Sequence, residues 1–168
     1  MKKKIALVIP IAVCIVSVSA NVYQYRVIQN KNAYITCNQI VVDQMFQEDL
    51  AYIGDQMIRL SKCESGEKDT EIGRTLGYCL DAFNMYPSTS YGVSGKEHDV
   101  HHMVAEFRDY LENLQSDETL WKNAKSGDLD RLHDAWSEVL TQIYKGKKAR
   151  VAAASKVRQI LKNCATSP

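Results

Sequence analysis

Proline and glycine are scarce where turns would need them. Only three prolines occur in 168 residues, and beyond Ala20 neither Gly nor Pro appears until Gly54. Such a gap leaves room for one long helix and argues against closely spaced turns. Strict alternation of apolar and polar residues is also missing, which excludes a half-buried sheet as the main element. Acidic residues stop at Glu138; the last thirty positions contain none. There is no Gly-x-Ser-x-Gly elbow, no glycine-rich phosphate loop and no Cys-x-x-Cys, so three common catalytic frameworks lack their parts. Without them the sequence points away from an enzyme, and no cofactor is expected.

What is present begins with three lysines, Lys2, Lys3 and Lys4. They precede the uncharged run "IALVIPIAVCIVSVSANVYQYR", which carries no charge until Arg26. A retained anchor needs about 20 mostly apolar residues to cross a hydrocarbon core. A cleavable signal has an apolar core of roughly 7–15 residues followed by small residues. The apolar stretch Ile5 to Ala20 slightly exceeds that core, and Tyr23 and Tyr25 fall where interfacial aromatics gather. The reading is therefore a single-pass transmembrane helix with the basic start in the cytoplasm and the bulk of the chain extracytoplasmic. Cleavage following Ala20, which would release a secreted protein, is the alternative. Cys14 lies mid-run behind the bulky Val13, which does not fit a lipoprotein signal.

Past the anchor the apolar residues repeat at steps of three and four. Val42, Phe46, Leu50, Ile53, Met57 and Leu60 make the first helical stripe, and the polar stretch before it reads as a stalk. A second helix spans about Thr70 to Tyr86 on Ile72, Leu76, Cys79, Leu80 and Phe83. A third opens with a capping box of Ser94 and Glu97 and continues on Val100, Met103, Val104, Phe107, Leu111 and Leu114. A helical turn is expected around Leu120 and Trp121. A fourth helix covers Asp128 to Tyr144 and stops near Gly146, and a fifth covers Ala149 to Cys164. The fold class is all-α: an N-terminal transmembrane helix continuing into an antiparallel bundle of about five helices. Its parts are a basic start (1–4), the anchor (5–25), the stalk (26–41) and the bundle (42–168). In "GRTLGYC", Gly73 and Gly77 read as a place where helices approach closely.

Three of the four histidines, His98, His101 and His102, crowd together at the start of the third helix. His98 and His102 stand one turn apart, a spacing that can hold a divalent metal between imidazoles. At about 100° per residue all three point away from the apolar stripe, so a solvated face competes with a metal site. The Glu-x-x-His pair of di-iron bundles and His-Glu-x-x-His are both missing.

Four cysteines, Cys37, Cys63, Cys79 and Cys164, lie beyond the anchor. Alternating helices bring Cys63 and Cys164 to one end, which makes them the candidate disulfide, with free structural thiols as the alternative. Cys79 is expected in the core. Residues 21–138 hold 11 Lys and Arg against 20 Asp and Glu, a net of −9, whereas residues 139–168 hold seven bases and no acid. That division predicts a basic helix lying on an acidic bundle. Its outer face, Lys148, Lys156, Arg158 and Lys162, is a candidate surface for an envelope protein or an anionic envelope partner. Nucleic acid is not expected. The functional expectation is a membrane-anchored binding or scaffolding protein of the cell envelope, the alternative a metal- or pH-responsive domain using the histidine face.

Overall fold

Phe46, Leu50, Ile53, Met57 and Leu60 share one strip of a helix, and all five are fully buried. The computed structural model describes residues 2–89, 99–143, 145 and 147–166, with side chains omitted for 2–16, 147, 165 and 166. Every regular element among the described residues is helical: α1 (Lys2–Lys62), α2 (Lys68–Met85), α3 (Asp99–Ser116), the short α4 (Glu118–Asn123), α5 (Leu129–Gln142) and α6 (Lys147–Thr166). A 3₁₀ turn, Tyr86–Ser88, follows α2, and a π-helical turn, Ala124–Asp128, joins α4 to α5. The all-helical fold with five long helices is the one the periodicity predicts. Ser94, Glu97 and Gly146 lie outside the described residues.

Contacts divide the chain into two units, Met1–Ile40 and Val41–Pro168. In the first, nearly every described side chain from Ser17 to Ile40 is exposed. Among the described residues no helix is long and apolar enough to cross a membrane. The side chains of Ile5 to Val16, which carry most of the anchor expectation, fall outside that set.

In the second unit, α1 and α2 run antiparallel. Phe46 meets Tyr86 at 5.6 Å between ring centroids, and further along α1 Tyr52 stacks on Tyr78 at 5.1 Å. At the π turn, Gly127 adopts φ +137°, a conformation that side chains with a Cβ rarely take. Asp117 caps α4 by accepting from the backbone amides of Thr119 and Leu120 at 2.8 and 2.9 Å. Trp121 and Trp136 are buried, as is Cys79.

Two side chains depart from the predicted stripes. Leu80 is half exposed, because α2 buries the arc through Ile72, Thr75, Cys79 and Ala82 and Leu80 lies beyond its edge. Tyr110, which the stripe of the third helix omits, is buried.

Candidate functional site

The histidine cluster is the first place where geometry revises the expectation. His98 lies outside the described residues. His101 does not point outward: its ring stacks on Phe83 with centroids 4.0 Å apart and planes 21° apart. It also stacks on Tyr86 at 5.2 Å and 22°. The cause is the width of α3's buried arc, which takes in Val100, Met103, Val104, Phe107, Tyr110, Leu111 and Leu114. With α2 covering one flank and α6 another, a residue 100° from the stripe centre is still enclosed. His102 is exposed, its ring 6.3 Å from that of His101. Among the described residues no group of three or more His, Cys, Asp or Glu is placed to hold a metal.

The basic face of α6 is partly consumed by the bundle itself. Arg158 donates from Nε and Nη2 to Glu106 Oε1 of α3, at 3.0 and 2.6 Å, and reaches Asp99 at 3.5 Å. Lys156 pairs with Glu138 of α5 at 2.7 Å. Lys148 and Lys162 remain exposed. Two of the four candidate residues thus hold α6 onto acidic neighbours.

Cys63 and Cys164 are both free thiols, and both adjoin the π turn. The carbonyl of Cys63 accepts from Lys125, and the Cys164 thiol lies against Asp128. Burial, reinforced by the Asp128 carboxylate, pushes the Cys164 thiol up to about 11. Burial raises Cys63 as well and pushes Cys79 up to about 12. Thiols held neutral in this way are poor nucleophiles. Cys37 is exposed.

A cleft of about 610 Å³ opens between α3, α4 and α6, bordered by Asp109, Tyr110, Asn113, Asp117, Leu161 and Lys162. Its volume suits a small ligand. Two polar atoms in its wall, Glu106 Oε2 and Tyr110 Oη, have no hydrogen-bond partner among the described residues. Both are closed off from solvent, so an occupant of the cleft would meet the exposed Asp109 and the capping Asp117 instead. Burial drives the Tyr110 phenol far above its ordinary range, which keeps it protonated.

Sequence reasoning missed the seam between α1 and α2. There Asp49 is half-buried, and burial together with Asp81 and Glu48 raises its carboxyl to about 6. The signal available in sequence was an acid one turn before Ile53, on the flank of the core stripe. The close approach of helices expected at Gly73 and Gly77 is not made among the described residues, where a Cβ at either glycine would meet nothing within 4 Å.

No protein-family model matches the chain, and no curated protein or solved structure matches it.

Proposed function

We propose that this chain is a membrane-anchored protein of the cell envelope whose extracytoplasmic helical bundle binds a partner and carries out no chemistry. The observation that carries the reading is the twenty-one-residue uncharged run from Ile5 to Tyr25 directly behind Lys2, Lys3 and Lys4. Such a run favours a membrane-crossing helix, and flanking lysines favour a cytoplasmic start. The raised thiols of Cys63, Cys79 and Cys164 speak for structural rather than nucleophilic cysteines.

Fractionation of cells expressing the full chain, followed by N-terminal sequencing and protease treatment of intact cells, tests this reading. The expected result is a membrane-bound chain retaining its first residues, with the bundle degraded only from outside. A mature protein beginning at Asn21, or a chain recovered entirely in the soluble cytoplasmic fraction, would overturn it.

A further inference from the structure

Within the unit Val41–Pro168, the large apolar side chains that stay exposed among the described residues are Val41, Met45, Tyr52 and Leu80. Each is 47–52 % exposed, and all four lie on α1 or α2, none on the later helices. Met45 borders a groove of about 410 Å³ together with Val42, Asp81, Asn84 and Met85. Tyr52 is joined to α2 by its stack on Tyr78. The apolar patch therefore spans both helices.

Along α2 the residues Gly73, Gly77, Leu80 and Asn84 recur at steps of four, three and four, which places them on one outward stripe. A glycine inside a helix costs about 1 kcal/mol relative to alanine. Among the described residues nothing lies within 4 Å of where a Cβ would stand at either glycine. A bare backbone lets a second helix approach at the near end of the usual interaxial range of about 8–10 Å.

At the Met45 end of this patch the charge is acidic, whereas toward the other end of the seam Arg59 and Lys62 of α1 line a groove with Glu67 and Glu71 of α2. Asp49 faces Asp81 across the seam, with Glu48 beside it. None of the three has an ion-pair partner among the described residues, and the neighbouring Arg74 is engaged by Glu71 at 2.7 Å. Repulsion within such a group is relieved by an incoming cation.

The geometry points to the α1–α2 face as the docking surface for a basic amphipathic helix of a partner protein. The apolar side of that helix lies on Met45, Leu80 and the Gly73–Gly77 shelf, and its lysines or arginines meet Glu48, Asp49 and Asp81. A second copy of this chain fits less well. A two-fold pairing through the same patch sets these carboxylates against one another, and in α6 Arg158 and Lys156 are already engaged by Glu106 and Glu138. The inference rests on the binding role proposed above and names its partner class. The fractionation experiment reads the anchor, whereas the titration below reads only this face.

The full-length chain in phosphatidylcholine nanodiscs is titrated into a fluorescent peptide of Leu, Ala and Lys, about five helical turns long and patterned as an amphipathic helix. Empty nanodiscs supply the background. One control peptide has the same composition scrambled to break the apolar face, and another replaces Lys with Glu. Binding to the Lys helix is expected to be at least about tenfold tighter than to either control. The double variant Asp49→Asn/Asp81→Asn weakens it several-fold. Gly73→Ala/Gly77→Ala also weakens it while raising the thermal midpoint of the chain, which separates loss of docking from loss of fold. Equal affinity for the scrambled peptide, or unchanged binding by the Asn double variant, overturns the proposal. So does sedimentation showing a dimer that Gly77→Leu abolishes, since the face would then belong to a second copy.

Discussion

The indole N–H of Trp136 on α5 donates a 2.8 Å hydrogen bond to the main-chain carbonyl of Leu50 in α1. One turn on, a Cβ at Gly54 would come within 3.4 Å of Trp136 Cδ1, at the close edge of van der Waals contact. The pair locks the first packed helix to the fifth across 86 positions of sequence. Trp136→Phe removes the donor and leaves a void, and is expected to cost about 2–3 kcal/mol. Gly54→Ala stays within about 1 kcal/mol of the parent, because better helix propensity offsets a tight contact. Gly54→Leu displaces the indole and costs more than either. Urea denaturation of the three variants gives the order, and a Trp136→Phe variant as stable as the parent would remove this contact from the core.

His101 and His102 differ in environment despite being neighbours. His101→Ala loses two aromatic stacks and buried area, and is expected to destabilise by about 1–2 kcal/mol. His102→Ala changes stability by no more than about 0.5 kcal/mol, as an exposed substitution does. Equal and negligible effects would restore the outward-facing cluster that helix phase alone predicts.

Asp49 makes stability depend on pH in a defined direction. Its carboxyl is raised from 3.8 to about 6 in the folded chain, so the folded state binds the proton more tightly than the unfolded state. Stability therefore falls as pH rises from about 4 to about 6, and this destabilising contribution is fully present above that window. The site is only partly buried and therefore solvent-screened, which limits the effect to about 1 kcal/mol or less. Asp49→Asn should be more stable than the parent at pH 7, with the difference shrinking towards pH 4.5. Thermal midpoints of the two proteins across that range provide the check, and a difference that grows on acidification would reverse the assignment.

Two cations on α6 separate structural pairing from surface decoration. Arg158 makes two hydrogen bonds to Glu106, and both side chains are about three-quarters to two-thirds buried. Arg158→Ala is expected to cost about 1–2 kcal/mol, because it leaves Glu106 without its cation. Lys156 and Glu138 are much more exposed, and Lys156→Ala should lie between about 0 and 1 kcal/mol and vanish in high salt. Denaturation at low and high ionic strength distinguishes the two behaviours.

The helical class and most of the core were legible because burial on one side of a helix repeats at 3.6 residues. Phe46, Leu50, Ile53, Met57 and Leu60 occupy the places their spacing assigns. The same logic misplaced His101 and Leu80, since periodicity locates the centre of a buried arc and says little about its edges. Those edges are set by how many neighbours a helix has. α3, enclosed by more than one partner, buries Tyr110 and covers His101. α2 keeps a solvent-facing side, and Leu80 falls on it. Pairings such as Arg158 with Glu106 and Trp136 with the Leu50 carbonyl join residues 52 and 86 positions apart, and local pattern carries no information about them.

Synthesis from the N-terminus delivers the acidic and basic blocks of the chain one after the other. A chain emerging N-terminus first presents residues 21–138, with their net charge of −9, before the basic segment that follows Glu138 is made. Until α6 arrives, Glu106, Asp99 and Glu138 lack Arg158 and Lys156, and no Ala153, Ala154, Val157 or Leu161 covers the adjoining helices. Nascent chains fold by completed units. A ribosome stalled before α6 would therefore hold an acidic, open intermediate, and the bundle would close only after this helix is released.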